Sequence, residues 1–130
     1  MDSGDRAIDQ RVWTREEVCL LVAEYFRTKG MSKDEILQSR KIVSAVLRNR
    51  ERVLTGKEIS ITFRDESGIT MQSGRIQCLD PGTPYNGMQG TKLQKEVTEE
   101  YLRNPDAIKA IAYDMITKYG KISAEGSSPA

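Results

Sequence analysis

The sequence predicts an all-α fold, three helices followed by two more, and three kinds of observation predict it. Ser/Thr-x-x-Glu/Gln spacings occur at Thr14, Ser32 and Thr91. In each, the hydroxyl accepts from the backbone three residues on while the acid or amide reaches back to the cap. Apolar residues then recur with helical period. Gly30 supplies a left-handed stop after the first of these stretches, and Gly120 ends the last.

The first helix opens at Thr14, with Glu17 completing the box and Trp13 and Val18 bracketing the start. Val18, Leu21, Val22, Tyr25 and Phe26 form one apolar stripe, and Gly30 ends it. The second opens at Ser32 with Glu35, flanked by the apolar pair Met31 and Ile36. Ile36, Leu37, Val43, Val46 and Leu47 carry its stripe to about Asn49, and Gln38, Ser39 and Arg40 mark a bend or a division into two helices.

Residues 50–79 support two readings. Ile59, Ile61 and Phe63 alternate as in a strand, and Gly68 could turn a hairpin, which gives a winged helix with its hairpin near residues 59–73. Alternatively, Ile59 to Arg64 is an extended lead-in to a third helix from about Asp65, with Ile69, Ser73, Ile76 and Leu79 on one face. A breaker-rich loop from Asp80 to Gly90 leads to Thr91 and Gln94, which cap a fourth helix with Leu93, Val97 and Tyr101 as its stripe. Pro105 opens a fifth, lined by Ala107, Ile108, Ile111, Met115 and Tyr119. One helical domain over residues 12–120 follows, between a flexible segment 1–11 and a disordered tail 121–130.

Composition then narrows function. The chain has no histidine, which removes Ser–His and Cys–His nucleophile pairs, imidazole acid–base work and His-ligated zinc. Its two cysteines, Cys19 and Cys78, form no CxxC, so neither a metal site nor a disulfide framework is expected. No catalytic residue, metal or cofactor is assigned. The apolar runs are too short to cross a bilayer, and the N-terminus lacks the pattern of a secretory signal, so a cytoplasmic protein is expected. Net charge is only +1, but it is unevenly placed: residues 26–64 carry ten basic and four acidic side chains, a surplus of six. Such a block suits a phosphate-facing surface; a solvated helix face is the alternative.

The opening Trp13-Thr14-Arg15-Glu16-Glu17 resembles that of Myb/SANT-like three-helix domains, in which an early Trp belongs to the core. Together with Ile42 to Arg50, Phe63 to Gln72, Leu79 to Gly82 and Gly90 to Pro105, the chain is similar over residues 12–110 to the accessory N-terminal domain of many bacterial HNH endonucleases. In that family a Phe-Arg-Asn turn opens the segment matching Phe63 onward, and a Ser-Lys-Leu motif the segment matching Thr91, Lys92 and Leu93. The resemblance implies a helix-turn-helix type of reader whose third helix meets the major groove. The family tends to have Lys and Asn where this chain has Gln72 and Arg75, and the stretch from Glu51 to Ser60 is longer than usual. The histidines of the nuclease itself are missing.

A DNA reader of this type uses Thr70, Gln72 and Arg75 on base edges, Lys41, Arg48, Arg50, Arg52 and Arg64 on phosphates, and Tyr85 for stacking. Against this stand ion pairing of Arg64 and Arg75 with Asp65, Glu66 or Asp80, and a core role for Trp13. Two other function classes remain: a protein-binding module acting on a host nuclease or defence system, as a phage or plasmid component would, and a nucleotide sensor using the loop from Asp80 to Gly90.

Overall fold

The computed structural model describes residues 12–83 and 87–120, and among them the fold is all-helical. Helix α1 spans Arg15–Thr28, α2 Lys33–Thr55, α3 Glu66–Gln77, α4 Lys92–Arg103 and α5 Pro105–Met115, followed by a π-helical turn, Ile116–Gly120. All three capping boxes form, at Thr14, Ser32 and Thr91, and Asp65 caps α3 by accepting from Gly68 N. Four of the five helices therefore start where a side chain satisfies orphan backbone donors.

The centre of the molecule is α1, which packs against α2, α3, α4 and α5. That explains why its burial exceeds a single stripe: every residue from Glu17 to Ala23 is buried, including Cys19 and Leu20 off the expected face. Phe26 at its end stacks on Tyr101 of α4, with ring centroids 4.4 Å apart and planes within 5°. Trp13 is partly buried against the same core. Burial pushes the Cys19 thiol up to about 11. At pH 8 a thiol reagent is expected to modify half-buried Cys78 readily and Cys19 only after denaturant is added, checked by mass spectrometry of the labelled peptides.

Three expectations are corrected. First, α2 is one unbroken helix that runs to Thr55, past Asn49, and ends on Gly56 at φ 67°. Its last turn carries Val53 and Leu54, both exposed because the core ends before them. Second, residues 59–73 make no winged hairpin. Turns closed by Phe63 N to Ser60 O and Asp65 N to Thr62 O lead into α3; Phe63 is buried, whereas Ile61 is 85% exposed. Third, α5 stops at Met115, and Tyr119 lies on the π-turn, whose carbonyl accepts from Asn49 Nδ2 at 3.0 Å.

Helix α3 is the least embedded of the three core helices: Ile69 and Ile76 are its buried residues, and they sit it on α1 and α2. Ser44 of α2 donates to Arg64 O at 2.7 Å, fixing the entry to α3 against α2. Much of α3 is therefore left facing outward.

Candidate nucleic-acid interface

On a helix of 3.6 residues per turn, positions 41, 48 and 52 of α2 fall within about 40° of one another. Lys41 and Arg52 are exposed and Arg48 half-buried, and none of the three makes an ion pair among the described residues. They form a cationic stripe about 16 Å long, the rise of roughly five base pairs.

Each cation is held differently. Arg48 Nη1 donates to the carbonyls of Ser60, Ile61 and Phe63 at 3.1, 3.3 and 2.6 Å, so this side chain also closes the turn before α3. Its pKa lies below the ordinary arginine value, first through burial and second through repulsion by neighbouring Arg52. Arg52 Nη1 donates to Asn49 Oδ1 at 2.9 Å, whose amide is itself anchored on Tyr119.

Two other candidate phosphate ligands are withdrawn from such a surface. Arg64 is buried, its Nε 2.9 Å from Glu17 Oε2 and its Nη2 3.1 Å from Oε1, with only 4% and 1% of the two side chains exposed. Its guanidinium lies 3.9 Å from the centre of the Trp13 ring and 4.5 Å from that of Phe63. Neither Asp65 nor Glu66 is its partner; the carboxylate comes from α1. Arg50 is 14% exposed and faces Glu16 at 3.7 Å. Both arginines tie the segments around α2 and α3 to α1.

The three candidate base contacts do not share one face. Thr70 is exposed and lies beside Arg40 of α2, whose Nη1 is 3.5 Å from Thr70 Oγ1 and whose Nε is buried without an acceptor. Gln72 and Arg75 lie on the other flank, in a cleft of 730 Å³ between α3, Trp13 and the start of α4. Gln72 Oε1 accepts from Gln94 Nε2 at 2.5 Å, and Arg75 Nη1 donates to Gln89 O at 2.8 Å. Tyr85 lies outside the described residues. Sequence reasoning missed Arg40 and Lys92 as site residues. Lys92 directly follows the Thr91 cap and is exposed at the start of α4, whose first turn holds no acidic residue.

The start of the loop from Asp80 to Gly90 is a structural anchor. Asp80 accepts from Tyr25 Oη at 2.8 Å and Gly82 N at 2.9 Å, and pairs with Lys29 at 2.6 Å. Burial raises its carboxyl pKa, but the bonds from Lys29, Tyr25 and Gly82 outweigh that and hold it below the ordinary value. A depressed folded pKa contributes stability above the unfolded value, near 3.8, that is lost as pH falls through the folded one. Asp80→Asn is therefore expected to be less stable than wild type at pH 7, with the gap closing in acid, measured by urea unfolding at pH 7 and pH 3.

No family model matches the chain, and comparison with curated proteins and with solved structures finds no match.

Proposed function

We propose that this chain is a non-catalytic DNA-binding module that lays the outer faces of α2 and α3 on duplex DNA, in the manner of the recognition domain it resembles in HNH endonucleases. The observation that carries this reading is the stripe of Lys41, Arg48 and Arg52, without ion-pair partners among the described residues, on the helix whose Arg40 reaches the exposed, uncharged Thr70 of α3. Cations at that spacing bind phosphates and set register, while a neutral polar side chain such as Thr70 on the neighbouring helix meets base edges. Arg40, next to Thr70, extends the phosphate contacts across to α3. The lack of histidine favours reading over cutting.

A protein partner is the second reading, favoured by Val53, Leu54 and Ile61, apolar residues at least half exposed beside one end of the stripe. Fluorescence anisotropy of a labelled random duplex at low salt tests between them. DNA binding gives a saturable rise that unlabelled duplex of any sequence reverses in large part; no rise in anisotropy transfers the function to a protein partner.

A further inference from the structure

The cleft beside α3 has a chemistry that the duplex-binding stripe does not use. Among the described residues no acidic side chain lines it, and two cations, Arg75 and Lys92, do. Arg64 also reaches it, but that charge is neutralised from behind by Glu17. Trp13, Met71 and Leu93 supply apolar and aromatic wall.

Its polar floor is a pair of amides whose orientation follows from the backbone. Thr91 N can only donate, and it donates to Gln94 Oε1 at 3.0 Å. Gln94 must then turn its Nε2 toward Gln72, which accepts through Oε1. The amide group left at the end of this chain is the NH₂ of Gln72, on the residue that lines the cleft. Gln94 is 2% exposed, so the relay is held rigidly and Gln94 acts as a positioning residue. The cleft thus combines a stacking wall, a fixed donor group and two cations, with no carboxylate among its described lining residues.

We infer that this cleft binds one nucleoside monophosphate unit with an acceptor-rich base, of which guanine, through O6 and N7, is the best match. The base meets the Gln72 NH₂ and the apolar wall, and the phosphate meets Lys92 and Arg75. The cleft volume of 730 Å³ accommodates a unit of that size. The same chemistry is offered by a free nucleotide and by an unpaired nucleotide of a DNA strand. Only the second source rests on the duplex-binding reading.

The chain has one tryptophan, Trp13, and it lines the cleft, so its fluorescence reports occupancy directly. Titrating the full chain with dGMP is expected to quench it saturably, and inorganic phosphate alone is not. Lys92→Ala, at an exposed position, is expected to weaken the midpoint about tenfold or more. Gln72→Glu keeps an acceptor for Gln94 but turns the free donor into an anion, and is expected to abolish quenching while the far-UV spectrum is unchanged. Lys41→Glu with Arg52→Glu leaves dGMP binding intact, which separates this site from the stripe. No saturable quenching at millimolar dGMP, or equal quenching in Lys92→Ala, overturns the inference. A second titration compares a duplex carrying one bulged guanosine with its fully paired counterpart. Preference for the bulge that is lost in Lys92→Ala identifies the strand as the source, and equal affinity with dGMP binding retained identifies the free nucleotide.

Discussion

Arg64→Met is expected to destabilise the protein by about 3–5 kcal/mol, the largest effect of any single substitution considered for this chain. The substitution keeps much of the side-chain volume but leaves the Glu17 carboxylate, 1% exposed, without its bidentate partner. It also removes the cation from between the Trp13 and Phe63 rings. The loss is the penalty of a buried carboxylate deprived of its arginine rather than the net worth of the pair, even though Thr14 still donates to it. The double variant Glu17→Met with Arg64→Met is therefore expected to recover part of it, less the capping bond from Thr14 N that Glu17 also accepts. Urea unfolding of the two singles and the double reads both quantities; a single substitution costing less than about 1 kcal/mol contradicts the buried pair. Duplex affinity per folded molecule is expected to stay unchanged in Arg64→Met, because that guanidinium is buried and its charge is met by Glu17.

Reversing two charges on the stripe, Lys41→Glu with Arg52→Glu, is expected to lower duplex affinity about a hundredfold or more at low salt. Both side chains are exposed and neither joins an ion pair among the described residues; stability is expected to move by no more than about 0.5 kcal/mol at Lys41 and by about 1 kcal/mol at Arg52, which loses its bond to Asn49 and puts an anion in the last turn of α2. Anisotropy titration and urea unfolding of the same preparation separate the two effects. Arg48 and Arg50 are poorer choices for this test. The first ties down three carbonyls before α3, and the second faces Glu16 from a largely buried position, so reversal at either site disturbs the scaffold.

Helix starts were legible because their chemistry is local. Thr14 with Glu17, Ser32 with Glu35 and Thr91 with Gln94 each need only four residues, and all three boxes form. The end of α2 was not legible, because Val53 and Leu54 continue the helix beyond the core and break the rule that a helix lasts as long as its buried stripe. Ile59, Ile61 and Phe63 alternate as a strand does, yet no neighbouring strand exists among the described residues to pair with them, and the turns through Ser60 and Thr62 win instead.

The site was half legible for the same reason. Lys41, Arg48 and Arg52 share a face by spacing alone, which a sequence displays. That Arg64 turns inward depends on Glu17, 47 residues away, and that Arg50 meets Glu16 depends on how α2 packs on α1. Of the amide relay, the step from Thr91 to Gln94 is the capping box already legible in the sequence, whereas the step from Gln94 to Gln72 joins two helices and carries no sequence signature.

The salt dependence of duplex binding is the decisive measurement. With three stripe cations on phosphates, a plot of log affinity against log salt is expected to fall with a slope of about −3 or steeper, relaxing to about −1 in Lys41→Glu with Arg52→Glu. An affinity indifferent to salt, or a slope that the double substitution leaves unaltered, contradicts a phosphate-facing α2.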